Sequence, residues 1–356
     1  MARALQLAER GLFTTDPNPR VGCVIVKDDI IIGEGWHQRA GEGHAEVNAL
    51  QQAGQQSKGA DCYVTLEPCS HFGRTSPCAE LLIKSGLKNI FIAMVDPNPI
   101  VAGSGIIKLK EAGINVTVGL LTEQAEKLNV GFCQRMRLGR PYVRSKIAMS
   151  LDGRTAMASG ESQWITGSAA RQDVQKLRAR SSAVLTGIDT VLSDDPSLTV
   201  RPEGDWYPSG QVIRQPLRVV VDSQLQISQQ AKLLQGEGKV LIVTTVDTAV
   251  DYQAEVLTLP SQQGRVDLPA LMAELALREI NEVMIEAGSV LNGALLAAGL
   301  IDELVIYMAP KLMGDSAKGL FHLPALQTMA QNIELQITDM RAVGQDWRIT
   351  AIAKEV

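Results

Sequence analysis

Three short segments carry the residue types from which a metal site can be built: His44-Ala45-Glu46, Pro68-Cys69 and Cys78. An imidazole and two thiolates suit zinc, and three protein ligands leave one tetrahedral position for water, as in catalytic sites. Glu46, two residues after the histidine, can then take a proton from water at the metal and pass it to a leaving group. Taken singly, these signals are weak. H-x-E is common by chance, and scattered cysteines are more often small buried apolar residues. Cys23, Cys62 and Cys133 lie within apolar strand or helix patterns and are read that way. Five cysteines in 356 residues are too few and too dispersed for a disulfide framework. A reduced, cytoplasmic protein with thiolates free for metal is the expectation.

The surrounding pattern must position these groups. Residues 44–55 read as a helix, Cys62 to Glu67 as a buried strand and Cys78 to Ser85 as a second helix. His44, Cys69 and Cys78 are thus expected where loops meet helix starts. Residues i and i+2 do not share a helix face, but at an N-terminus both can lean over the open end. The positive helix end also favours thiolates, and Gly41 and Gly43 allow a sharp approach to His44. Val21 to Asp29 and Ile30 to His37 read as a hairpin. A strand over Ile90 to Asp96, a helix from Ser104, a short strand at 114–119 and a helix from Thr122 follow. Strands alternating with helices imply a three-layer α/β arrangement. Leu5, Ala8 and Leu12 have helical spacing, and Glu9 and the lack of a cleavage site argue for a surface helix rather than a signal peptide. Because that helix begins almost at Met1, the natural chain is expected to start a few residues earlier.

Arg135 to Tyr142 is the best boundary, with Gly139 ending a helix and Pro141 following. This predicts domains at 1–140 and 141–356. The second also alternates: strands at 142–148, 182–187, 217–221, 239–244, 282–286 and 303–309, and helices at 168–179, 268–277 and 289–298. The tail reads as two strands around Gly344, implying a mixed sheet. Pro202 to Pro216 is a long polar loop, expected to be mobile or a lid.

Composition narrows the function. Apolar residues make up 45% and charged residues 21%, enough for packed cores and unlike a disordered chain or a coiled-coil rod. A net charge of −5 and only 4% aromatic residues argue against a nucleic-acid binder. No apolar run approaches the roughly 20 residues that span a bilayer.

The joint order H-A-E, strand, P-C, then C is close to the zinc-deaminase signature, but the cysteines are spaced P-C-x8-C. Pro17 to Val26, Gly41 to Leu50, Thr65 to Cys78 and Asp96 to Pro99 resemble the deaminase half of the bifunctional riboflavin-biosynthesis deaminase/reductase family, in which the long spacing is a mark of the branch. The resemblance implies a cytidine-deaminase-like α/β/α domain, with His44, Cys69 and Cys78 holding one zinc ion and Glu46 shuttling the proton. It implies that Asn18 contacts the pyrimidine, and that His37, His71 and Arg74 help bind the ribose phosphate. Ser76 stands where the family commonly has proline, and the first helix is short at its start.

The second half offers less by itself. It has no G-x-G-x-x-G. A strand ending at Glu286, then Gly288 and a helix from Ser289, could cradle an anion on backbone N–H groups, although such turns are usually only structural. Lys146 to Ala156 places polar groups after a strand, and Asp194-Asp195 before Pro196 reads as a solvated turn or helix cap. All three segments resemble the reductase half of the same family, which implies a dihydrofolate-reductase-like α/β domain using NADPH. By position, Ala148, Trp164, Thr190, Asp194 and the turn Gly288, Ser289, Val290, Leu291, Asn292, Gly293 and Ala294 fall where the family binds the dinucleotide. Ser162, Arg178, Leu198, Arg201 and Glu286 fall at the ribosyl substrate, with Arg178 and Arg201 suited to its phosphate and Lys146 near the reacting carbon. The implied partner is a small pyrimidine ribosyl phosphate, acted on by a homodimer or tetramer, with no nucleic acid or membrane. The alternatives are another zinc nucleoside or base deaminase fused to a reductase-like domain, a closed structural zinc scaffold, and a chain in which one half is inactive.

Overall fold

The computed structural model describes residues 1–70, 77–99, 101–247 and 251–354. His71, Arg74 and Ser76 lie outside them. The chain divides into two compact units, Met1–Arg140 and Pro141–Val356, and each is described by itself.

The first unit is built on a five-stranded sheet, order β2-β1-β3-β4-β5. The strands are β1 (Gly22–Lys27), β2 (Ile30–Trp36), β3 (Asp61–Val64), β4 (Asn89–Ile92) and β5 (Asn115–Val118). β1 and β2 form the expected hairpin, and Asp28 and Asp29 both take positive φ in its two-residue turn, as right-twisted strands require. β3, β4 and β5 run parallel, joined by helices. α2 (Ala45–Ala53), α3 (Cys78–Lys84) and α4 (Ser104–Glu111) pack on one face, against Cys23, Ile25, Cys62, Val64, Ile90 and Ile92. α1 (Ala2–Glu9) and α5 (Thr122–Leu128) cover the other face, and α6 (Val130–Leu138) ends at Gly139, whose φ is +65°. Strands buried on both faces read as continuous apolar runs, which is why β3 and β4 are so evident. They are shorter than the apolar run because the chain leaves the sheet at Val64 and Ile92 to build the site. α1 is more buried than a surface helix: Ala4, Leu7 and Ala8 are core, and the helix stops before Leu12.

The second unit has a nine-stranded sheet, order β11-β10-β9-β8-β14-β6-β15-β18-β17. Its strands are β6 (Tyr142–Ser150), β8 (Ala183–Gly187), β9 (Leu217–Val221), β10 (Val240–Thr244), β11 (Glu255–Thr258), β14 (Glu282–Ile285), β15 (Glu303–Ala309), β17 (Leu335–Val343) and β18 (Asp346–Ala353). Seven are parallel, and the terminal hairpin adds β18 and β17 antiparallel. This is the expected mixed sheet. Short pairs form from β7 (Arg154–Ala156) with β16 (Lys318–Gly319), and from β12 (Ser261–Gln262) with β13 (Arg265–Val266). α7 (Ser168–Arg180), α8 (Ile188–Asp194) and α9 (Lys232–Gln235) pack on one face; α10 (Leu268–Leu277) and α11 (Ser289–Ala297) pack on the other.

Of the two readings of Asp194-Asp195, the helix cap holds: Asp194 ends α8, and Asp195 is its left-handed C-cap and accepts from the backbone N–H of Lys232 at 2.8 Å. One loop expectation needs correction. The loop 202–216 is not a free lid. Tyr207 is buried, its hydroxyl accepts from the Arg214 N–H, and the Arg214 guanidinium donates to the Ala179 and Ser181 carbonyls.

Candidate metal centre and reductase site

His44 is the N-cap of α2 and Cys78 the first residue of α3. Cys69 lies instead in the loop after β3, outside any helix start. α2 can sit close to the sheet because β2 has Gly35 beneath it, where a Cβ would come within 2.3 Å of the Ala45 carbonyl. The His44 imidazole and the two sulfurs have ligand atoms within 4.8 Å of one another. His44 Nδ1 lies 3.2 Å from Cys78 Sγ and 3.7 Å from Cys69 Sγ. The Cys78 N–H donates to Cys69 Sγ at 3.3 Å, and the Ala79 N–H to the Cys69 carbonyl at 3.1 Å. One nitrogen and two sulfurs at this separation fit a tetrahedral zinc with an open position.

The electrostatics agree with a ligand set. Hydrogen bonding from Cys78 draws the Cys69 thiol down to about 4, against burial and with help from His44. The same bond, with burial, pushes Cys78 up. Glu46 is 3% exposed and touches Cys78; burial pushes its carboxyl up, and nearby His44 opposes this. A carboxyl raised toward neutrality can both accept and release a proton. Cys23, Cys62 and Cys133 are buried in the cores, as expected, with Cys23 and Cys62 sulfurs 3.5 Å apart.

Asn18 and His37 are brought together. The His37 ring lies 3.2 Å from the Gly43 carbonyl through Nδ1 and 3.0 Å from the Asn18 amide through Nε2. Burial lowers the pKa of His37, which is 3% exposed. With Nδ1–H donating to Gly43, the neutral ring accepts from Asn18 and orients it. In the described residues, His37 is thus buried behind Asn18.

In the second unit, Lys146 in the middle of β6, Glu286 just after β14 and Arg178 near the end of α7 converge. The Arg178 Nε and Nη2 donate to the Glu286 carboxylate at 2.5 and 3.0 Å, and its Nη1 donates to the Thr199 carbonyl at 3.1 Å. Lys146 Nζ is 3.5 Å from Glu286. Burial alone would raise the Glu286 carboxyl, but Arg178 and Lys146 overcome it and hold it at about 2. The guanidinium fork expected for a phosphate pairs with Glu286 in this structure. Arg201 is exposed, and its backbone N–H donates to Gln175. Leu198 has φ +52° and a core side chain, 3% exposed, so only its backbone can face a ligand.

The dinucleotide positions are partly gathered. Ser162 donates to Asp194 at 3.4 Å. Thr190 is half-buried on α8, and Ala148 pairs with Tyr307 across β6 and β15. Trp164 is 64% exposed, with the Arg171 guanidinium 4.7 Å over its ring. In the turn into α11, Val290 is exposed, while Ser289, Leu291 and Ala294 are half-buried. Asn292 and Gly293 turn inward: Asn292 donates to the Ala287 and Gly288 carbonyls and accepts from Ser145, and Gly293 lies against the His322 backbone. Gly288 has φ −71°, and an added Cβ would meet nothing within 4 Å. Neither backbone conformation nor protein packing requires glycine there.

Reading the motifs left Glu67 unassigned. It is 3% exposed and accepts from the N–H groups of Asp96, Gly103, Gly105 and Ile106. An acid within an otherwise apolar strand was the signal.

Fold and ligand set together define a zinc-deaminase-type domain followed by a reductase-type α/β domain. Residues 1–94 match the family described as cytidine and deoxycytidylate deaminase zinc-binding region, and residues 141–349 the RibD C-terminal domain. The chain is 53% identical to riboflavin biosynthesis protein RibD of Escherichia coli K12, over 97% of this chain and 96% of that one. It is 50% identical to the Haemophilus influenzae protein of the same name, over 100% and 97%. Among solved structures, Acinetobacter baumannii RibD matches with TM-score 0.93 and 48% identity, over 99% and 97%. A Thermotoga maritima deaminase/reductase matches with TM-score 0.88 and 32% identity, over 99% and 97%. The chain belongs to the RibD family of bifunctional riboflavin-biosynthesis deaminase/reductases. Its reductase domain implies a nicotinamide cofactor, and its substrate is a small pyrimidine. Among the described residues no helix is long and apolar enough to cross a membrane.

Proposed function

We propose that residues 1–140 deaminate a diaminopyrimidinone ribosyl phosphate and that residues 141–356 then reduce its ribosyl group to ribityl with NADPH. The observation that carries the reading is the open His44, Cys69 and Cys78 set with buried Glu46 against it. The name of the Thermotoga relative, a diaminohydroxyphosphoribosylaminopyrimidine deaminase and phosphoribosylaminouracil reductase, supports the substrate.

His44, Cys69 and Cys78 would hold one zinc, which supplies a nucleophile from water at neutral pH. Asn18, oriented by His37, would bond the pyrimidine edge. Glu46 would accept the proton of the attacking water and deliver it to the amine. A C–O bond forms, the C–N bond breaks and ammonia leaves. In the second unit, Ala148, Trp164, Thr190, Asp194 and residues 288–294 would seat the dinucleotide, a hydride donor when reduced. Lys146 would lie beside the reacting sugar carbon, positioned by Glu286. Ser162, Arg201 and the Leu198 backbone would hold the ribosyl phosphate, while Arg178 would act through Glu286. We further place the protein in the reducing cytoplasm, in keeping with five free cysteines. We also read it as a homo-oligomer, for which the exposed edge strand β17 with Leu335, Ile337 and Met340 is suited.

The test is mass spectrometry of the substrate after incubation with the purified protein. Amine-to-hydroxyl exchange without NADPH, and a two-hydrogen gain only with it, are expected. Absence of both changes in zinc-loaded protein would refute the assignment.

A further inference from the structure

Glu67 is a buried acid that the chemistry above does not use. It stands two residues before Cys69, and its carboxylate gathers four backbone donors. Oε2 accepts from Asp96 at 3.1 Å and Gly103 at 2.9 Å; Oε1 accepts from Gly105 at 2.9 Å and Ile106 at 3.4 Å. Gly103 is the N-cap of α4, and Gly105 and Ile106 lie in its first turn. The carboxylate therefore satisfies helix-start N–H groups that have no partner within the helix, at the end where the dipole favours a negative charge.

The contacts around it all fall on the segment that carries Cys69. A Cβ on Gly105 would lie 2.2 Å from the Pro68 carbonyl, so glycine lets Pro68 rest directly on α4. Ser70 Oγ is 2.5 Å from Ser104 Oγ, and Lys108 Nζ donates to the Ser70 carbonyl at 2.7 Å. α4 thus grips residues 67, 68 and 70, on both sides of Cys69, while Cys69 itself is left to the metal set.

We propose that Glu67 is a positioning residue for the metal centre: by tying the start of α4 to the segment before Cys69, it fixes that sulfur at ligand distance from His44 and Cys78. The inference rests on the zinc reading above. It predicts that Glu67 governs how long the metal stays, beyond any share in stability. Glu67→Gln keeps size but leaves one carbonyl oxygen for four donors and turns an NH2 group toward N–H groups.

The experiment uses full-length zinc-loaded protein and follows zinc transfer to a chromogenic chelator. The wild type should carry one zinc and release it slowly. Glu67→Gln should release it roughly 10–100-fold faster, the usual scale for partners that orient metal ligands. With cobalt in place of zinc, its ligand-field bands should shift. Lys108→Met, which removes only the tie to Ser70, should speed release by less. Leu109→Ala, a core truncation on the same helix, should lower thermal stability without changing release or the cobalt spectrum. Release from Glu67→Gln at the wild-type rate overturns the proposal, as does equal acceleration by Leu109→Ala. If Glu67→Gln does not fold, unchanged release from Lys108→Met overturns it. A wild type that binds no zinc instead refutes the metal reading on which this one stands.

Discussion

In the N-terminal unit, His44, Cys69 and Cys78 bring an imidazole and two sulfurs together, whereas in the C-terminal unit Arg178, Lys146 and Glu286 already satisfy one another. The first site is a set of soft ligands close enough together to share one metal ion. The second is an ion-paired frame around a carboxylate held at about 2. The difference follows from chemistry. A hydrolytic site needs an electrophile it does not itself contain, so its ligands must be presented unsatisfied. A site for hydride transfer borrows its reactive atom from a cofactor, so its charged side chains can be spent on holding geometry.

The largest effect should come from Glu46→Gln. Glu46 is no ligand, so zinc content should stay at one per chain while deamination falls by roughly 10²–10⁴-fold. Reduction of substrate that is already deaminated should proceed at the wild-type rate. Near-normal deamination would break the contrast, because the first site would then work without its proton carrier. Cys69→Ala attacks the same site through the ligand set. Metal analysis should find well below one zinc per chain; full stoichiometry would remove Cys69 from the set.

The two sites also differed in how far the sequence disclosed them. H-A-E, P-C and the second cysteine are weak singly but uncommon in this joint order, and two of the three ligands stand at helix starts, so the metal set could be assembled from order and spacing. Most strands and helices were legible for a related reason: with both sheet faces covered, apolar runs mark the strands and Gly or Pro marks the breaks. Charge pairing was not legible. Arg178 and Glu286 are far apart in the chain, and nothing in either segment shows that one guanidinium occupies both oxygens of the other. The reading of Arg178 from its segment alone therefore did not include its carboxylate partner. The burial that lowers the pKa of His37 was likewise not legible. Glu67 was missed because its partners are backbone N–H groups, which have no sequence signature. Tyr207 and Arg214 pin a loop whose composition alone suggests mobility.

The ion-paired frame makes a pH-dependent prediction. Glu286 titrates at about 2 in the fold against an ordinary 4.5, a gap worth about 3 kcal/mol. Its pKa is depressed on folding, so this stabilisation is fully present above 4.5 and is lost as pH falls through about 2. Glu286→Gln should therefore destabilise the second unit at pH 7 by about 3 kcal/mol, the scale for unpairing a buried ion. In denaturant melts, the gap between wild type and variant should narrow steadily below pH 4.5. A gap that stays constant with pH would mean that Glu286 contributes by packing and not by charge. Zinc content should be unchanged.

Gly288→Ala should have the smallest effect on the fold and tests the other half of the contrast, that the reductase site leaves room for a borrowed group. The backbone at φ −71° and ψ 175° is open to alanine, and the new methyl group would touch no protein atom. Gly and Ala differ modestly at a helix N-cap, so stability should change by less than about 1 kcal/mol. A ligand lying against the turn would instead meet the methyl group directly. Binding of the reduced dinucleotide, followed by fluorescence titration, should weaken by about tenfold, equivalent to about 1.4 kcal/mol. Deamination and zinc content should stay at wild-type levels. Unchanged dinucleotide affinity would mean that the cofactor does not approach this turn, and the open space beside Gly288 would then have to be assigned to something other than the hydride donor.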